Sequence, residues 1–326
     1  MDASLLIPGL RVARSGNLPD MASQSPPRPY LYPTLSTARP PPASEATRPA
    51  RVPTGVPDFD YLTGGLPAGS VVLLLGEAGA GHQEFALTSA VHLMLRYDDP
   101  RLHQFYLGSA RGPFVFPEGV VYLSTSRSQE QVLAEIRSAF EGTYPDVLSR
   151  HLKFHDLSPA YFTDTVVPSE WASIATPLLQ ETPAPARSGV GPVPAIADAA
   201  DLDGGRNLVI LDSLTDLLVR PGAQAADLLA LLKGLRRRAK EWNGVVYLLL
   251  SQGVAPSAVE QAIIDSVDCV LQFSWVSSAN RSHRQRSMVI VKSMPVLAHL
   301  PAEYHGRFLI RVNAGSGLVT TQYERV

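Results

Sequence analysis

The sequence predicts an α/β fold, a mainly parallel sheet flanked by helices with a C-terminal antiparallel extension. Three observations carry that prediction. Residues 71–76, 120–124, 208–211 and 245–250 are apolar runs of strand length without polar alternation, as strands covered on both faces require. Helical patterns run from the turn after residue 76 through Leu95, from Ser128 to about Phe140, and over residues 225–242. Beyond Cys269 the long helices stop, and residues 270–276, 287–292 and 307–312 read as shorter strands.

Taken in chain order, residues 1–51 are rich in Pro, Ser and Arg, with Arg39-Pro40-Pro41-Pro42 typical. Too few spaced apolar residues stand there to offset the entropy of ordering, so a disordered Pro-rich tail is expected, with Met21 as an alternative start. One domain is expected over 52–326. Within it, residues 182–206 are rich in Pro, Ala, Gly and Asp and read as a flexible insertion, too long for an ordinary connection.

Composition excludes several classes. A net charge of −2 gives no global pull toward nucleic acid or an anionic membrane. No stretch reaches the roughly 20 apolar residues a membrane span needs. The single cysteine, Cys269, rules out an internal disulfide framework and suits a reducing compartment. A soluble cytoplasmic protein is the expectation.

Between the first strand and its helix stands Gly76-Glu77-Ala78-Gly79-Ala80-Gly81-His82-Gln83. The spacing of Gly76 and Gly81 is that of a phosphate-binding loop, in which backbone N–H groups close around phosphate at a helix N-terminus. The lysine of that pattern is here His82, shorter and mostly neutral at pH 7. The Ser/Thr that would hold Mg²⁺ is Gln83, a bulkier and poorer ligand at a tight octahedral ion. Residues 207–213, Asn-Leu-Val-Ile-Leu-Asp-Ser, are an apolar strand ending in an acid. Asp212 is thereby the candidate Mg²⁺ holder. ATP or ADP with Mg²⁺ is the cofactor these positions suggest, bound weakly if at all. Gly76, Gly79, Ala80, Gly81, His82, Gln83 and Asp212 are the residues that would hold it.

The stretch from Thr54-Gly55-Val56-Pro57-Asp58-Phe59-Asp60 through Gly64-Gly65-Leu66-Pro67-Ala68-Gly69-Ser70 resembles the lead-in of KaiC-like and RadA-like ATPases. The resemblance continues to the C-terminal strands. Glu84-Phe85 and the run Phe154-His155-Asp156-Leu157-Ser158-Pro159 are similar to the archaeal HTR-like branch of the RecA superfamily. It implies a RecA-like fold and exposes further departures. The family places paired glutamates after the second strand, one of which would polarise the attacking water. Here Ser126 and Arg127 occupy those positions, and neither replaces an acid. The family reaches a neighbouring subunit's nucleotide with a lysine and an arginine two residues apart. Lys292 matches the first, but Met294 stands at the second.

The resemblance therefore implies a degenerate ATPase without catalytic residues, acting as a regulatory, signal-transducing or scaffolding protein. Its partners would be other proteins or its own copies in a ring. Two alternatives stand beside it: a weak ATPase in a ring that uses Lys292 from a neighbour, and an RNA-binding ring subunit resembling Elongator's. For the last, the loop 280–286 offers Arg281, Arg284 and Arg286 to phosphate. His151 and His155 have a metal-compatible i, i+4 spacing, but Leu152-Lys153-Phe154 between them alternates like a strand.

Overall fold

The computed structural model describes residues 50–108, 114–168, 171, 191–277, 284–298 and 306–325. The chain opens with β1 (Arg51–Val52), α1 (Pro57–Thr63) and β2 (Leu66–Pro67), the two short strands pairing antiparallel. There follow β3 (Ser70–Gly76), α2 (His82–Asp98), α3 (Pro100–Leu107), β4 (Val120–Ser124), α4 (Gln129–Ala139), α5 (Tyr144–His151), β5 (Leu152–Asp156) and α6 (Ser158–Phe162). After these come α7 (Pro192–Asp203), β6 (Leu208–Asp212), α8 (Leu214–Val219), α9 (Ala225–Trp242), β7 (Val245–Ser251) and α10 (Ser257–Ser266). The chain ends with β8 (Cys269–Ser277), β9 (Arg284–Ser293), α11 (Met294–Leu297), β10 (Gly306–Asn313) and β11 (Gly317–Arg325).

Nine strands form one sheet in the order β11-β10-β9-β8-β3-β7-β6-β4-β5. The six strands from β8 to β5 pair in parallel, and β9, β10 and β11 extend the β8 edge antiparallel. The period-2 geometry of a strand explains the continuous apolar runs. Val72 and Leu74 pack with Tyr122, Ile210, Tyr247 and the inner face of α2. Val71, Leu73 and Leu75 pack on the opposite side with Val121, Val209 and Leu211, under α7, α9 and α10. Each such side chain, buried fully, contributes about 1.5–3 kcal/mol of transfer free energy.

The α/β class, the parallel sheet and the C-terminal antiparallel extension are as the sequence predicts. Three boundaries differ. Order includes Arg51, which pairs in β1 and donates to Gly65 O at 3.2 Å, so the tail expected over 1–51 ends earlier; residues 1–49 lie outside the described residues. The second half of the insertion expected over 182–206 is helical, as α7. Pro192, Ile196, Ala199 and Ala200 are buried along one side of α7. Proline in the first helical turn is compatible with a helix, and the Ala- and Ile-bearing stripe anchors it on the sheet. Residues 182–190 lie outside the described residues. Last, β9 begins at Arg284, so the arginine-rich segment is half strand, and β11 adds an edge that the sequence pattern did not mark.

Candidate functional site

The loop from Gly76 to Gln83 leaves the C-terminal end of β3 and turns into α2, as its glycines require. Gly81, the N-cap, has φ +114°, a backbone conformation that L side chains rarely adopt. Its carbonyl accepts from Phe85 N at 2.9 Å, which starts the helix. Ala80, one of the expected backbone donors, gives its N–H to Glu77 O at 3.0 Å and buries its methyl in the core.

The side chain that should deliver positive charge does not. His82 folds back under the loop: a Cβ built on Gly76 would lie 2.1 Å from its Nδ1 and 2.5 Å from its Cγ. The ring packs beside Phe273, centroids 6.4 Å apart, and Nδ1 is enclosed without a hydrogen-bond partner. Burial pushes the imidazole pKa down, against the smaller upward pull of Glu84 and Asp212, so the ring is neutral at pH 7.

Asp212 ends β6, separated from the loop's strand by β7 alone. Its Oδ2 accepts from the Tyr122 hydroxyl at 2.5 Å and from Arg127 Nη2. Arg127 also pairs through Nη1 with Glu135 and through Nη2 with the Tyr122 oxygen at 3.2 Å. With its amide oxygen toward the guanidinium, Gln83 accepts from the two Nη atoms at 2.9 and 3.2 Å. Burial opposes the Arg127 charge, but Asp212, then Tyr122 and Glu135, outweigh it and hold its pKa above the ordinary value. Burial pushes the Tyr122 phenol up as well, and its ring stacks on Phe154 at 5.6 Å. The structure thus brings Gln83 and Asp212 together, as their motifs predict, but around an arginine.

Ser126, at the other glutamate position, donates to Asp216 Oδ2 at 2.9 Å, and Thr125 Oγ1 donates to the same oxygen at 2.6 Å. Lys292 is engaged within its own chain: its Nζ donates to Ile264 O and Asp265 O, at 2.9 and 3.0 Å, near the end of α10. Met294 is 80% exposed.

A clasp on the loop was missed by sequence reasoning. Trp275 donates Nε1 to Ala78 O at 3.0 Å and its backbone N–H to Glu77 Oε2 at 3.3 Å. Arg286 donates Nε to Gly79 O at 2.8 Å. The guanidinium groups of Arg284 and Arg286 lie 5.0 and 4.9 Å from the Trp275 ring centroid. These bonds span about 200 residues of chain, so no local pattern could have announced them. These bonds tie the carbonyls of Ala78 and Gly79 to β8 and β9. Arg281 lies outside the described residues.

The two histidines at metal-compatible spacing go separate ways. His151 Nε2 meets Asp98 at 3.0 Å, and His155 Nε2 meets Asp203 at 2.9 Å. Among the described residues no group of three or more His, Cys, Asp or Glu could hold a metal, and no helix is long and apolar enough to cross a membrane.

Comparison with known proteins supports the same frame. A KaiC-like protein from the hyperthermophilic archaeon Pyrococcus horikoshii superposes with a TM-score of 0.53 at 15% identity, covering 83% of this chain and 99% of its own. The flagellar accessory protein FlaH from Methanocaldococcus jannaschii superposes with a TM-score of 0.52, also at 15% identity, covering 81% of this chain and 95% of its own. No family model and no curated protein matches the sequence. At such identity the likeness shows the fold alone, one shared with the KaiC-like and FlaH proteins.

Proposed function

We propose that this KaiC/FlaH-like domain is a pseudo-ATPase, a non-catalytic regulatory or scaffolding protein that binds nucleotide weakly or not at all. The observation that carries the reading is the withdrawn His82. Phosphoryl transfer is almost wholly positioning and charge stabilisation. Here the lysine position holds a neutral ring turned beneath the loop, so no flexible cation meets the β- and γ-phosphates. No acid stands at Ser126 or Arg127 to polarise a water. The partners would be other proteins or further copies of the chain, arranged as a ring. Lys292 already donates to two carbonyls of its own chain, which favours the non-catalytic reading over a trans-acting one.

Calorimetric titration of the full chain with Mg·ATP and with ADP, checked by thermal shift, tests the reading. The expected result is no saturable binding, or a midpoint near 1 mM, about −4.1 kcal/mol. A midpoint below roughly 100 μM would show a working pocket and contradict it.

A second reading, contact with RNA phosphates, has one favourable observation: Arg284 and Arg286 lie together over Trp275 beside the loop. It predicts salt-sensitive RNA binding that falls when Arg281, Arg284 and Arg286 are replaced by alanine. Binding unchanged by those substitutions would refute it.

A further inference from the structure

We propose that the Arg127 guanidinium is the resident cation of this pocket, held where a divalent metal would otherwise bridge Gln83 and Asp212. The inference rests on reading the pocket as a modified phosphate-loop site.

A Mg²⁺ in such a pocket would need an oxygen from the residue after the loop's final charged position and an acid at the end of the strand one removed from the loop's own. Those residues are Gln83 and Asp212, and both already face one guanidinium. Around it the acceptors form a nearly complete set: Asp212 Oδ2, Gln83 Oε1, Glu135 Oε2 and the Tyr122 oxygen. Asp212 Oδ2, the oxygen paired with Arg127, also accepts from Tyr122 at 2.5 Å.

The backbone fixes the arginine in place. Arg127 N donates to Ser124 Oγ at 3.0 Å at the end of β4, and the next residue, Ser128, caps α4. With side-chain exposures of 27% for Arg127 and 14% for Asp212, the pair is not a solvated surface contact. Guanidinium is planar and always charged, and it suits carboxylate and amide oxygens in a fork. Mg²⁺ instead demands near-octahedral oxygens at about 2.0–2.1 Å and keeps several waters. It would have to expel a tethered cation from its own ligands. The residues present do not fit the metal; they fit the arginine.

Mn²⁺ uptake by the full chain, followed by electron paramagnetic resonance with and without ATP, tests this. The wild-type chain is expected to take up no Mn²⁺ up to about 1 mM. Uptake below that concentration which disappears in Asp212→Asn would overturn the inference. A double-mutant cycle in urea supplies an independent reading. Arg127→Gln and Asp212→Asn should each raise the unfolding constant, and the double variant should fall at least about threefold short of their product. Multiplicative effects would overturn the pairing, and variants too unstable to measure would still leave the Mn²⁺ comparison decisive. Mn²⁺ uptake without turnover would sink this inference alone, whereas ATP hydrolysis without metal uptake would sink only the proposed function.

Discussion

Replacing Gly76 with alanine is expected to destabilise the chain by about 1–3 kcal/mol, the range for overpacking a tight site. The new Cβ would lie 2.1 Å from His82 Nδ1, 2.5 Å from its Cγ and 2.9 Å from its Cβ. All three distances are below van der Waals contact, and the obstacle is the root of the ring rather than a flexible tip. The backbone of Gly76 cannot yield, because it is registered with Ser251 of β7 on one side and Phe273 of β8 on the other. Relief must come from swinging the imidazole out, which forfeits its packing beside Phe273. Urea unfolding of wild type, Gly76→Ala, His82→Ala and the double variant measures this. His82→Ala in the alanine-76 background should recover more than half of the loss, because the clashing atoms beyond Cβ are gone. A Gly76→Ala change within about 0.5 kcal/mol of wild type, or a double variant no better than the single, would refute a ring folded under the loop.

Acid should weaken the fold through His92. Its Nδ1 donates to Gly55 O at 2.6 Å, which leaves Nε2 to accept from Tyr144, and the ring stacks on Tyr106 at 3.6 Å. Burial lowers its pKa to about 4, with the Gly55 bond opposing and His103 adding to the drop. The unfolded chain therefore binds a proton below about pH 6.5 that the folded chain refuses, and stability falls as pH drops from 6.5 to 4. At about 1.36 kcal/mol per unit, the loss approaches about 3 kcal/mol. Urea midpoints of wild type and His92→Gln across that range check it, and parallel pH profiles would count against it. Ser128→Ala should cost about 1 kcal/mol by removing the capping box, in which Ser128 Oγ accepts from Gln131 N at 3.3 Å and Gln131 Oε1 from Ser128 N at 2.9 Å. Thermal unfolding reads this directly, and an unchanged midpoint would show the cap to be idle.

What the sequence made legible was what local chemistry decides. The runs in β3, β4, β6 and β7 are apolar on both faces, so their burial under two layers could be read from composition alone. Residues 225–242 carry a helical period without interruption, and α9 occupies those residues. The lead-in is equally local: Asp60, buried, accepts from Thr54 N at 2.8 Å and Gly55 N at 2.8 Å, so the Thr-Gly…Asp spacing is a closed turn. Illegible features depend on distant chain. The α7 helix hid behind its prolines, and its buried stripe has meaning only against the sheet. Arg127 read as a missing glutamate; only the fold brings it between Gln83, the second residue of α2, and Asp212, 85 residues on. Likewise Trp275 had no motif to mark it as a clasp on Ala78.

The most direct test of the central claim is single-turnover hydrolysis, with the full chain in excess over γ-labelled ATP and Mg²⁺ present. The account predicts phosphate release at the rate of the chain-free control, for wild type and Asp212→Asn alike. Release above that control in wild type, lost in Asp212→Asn, would show that the pocket still transfers a phosphoryl group and would contradict the account.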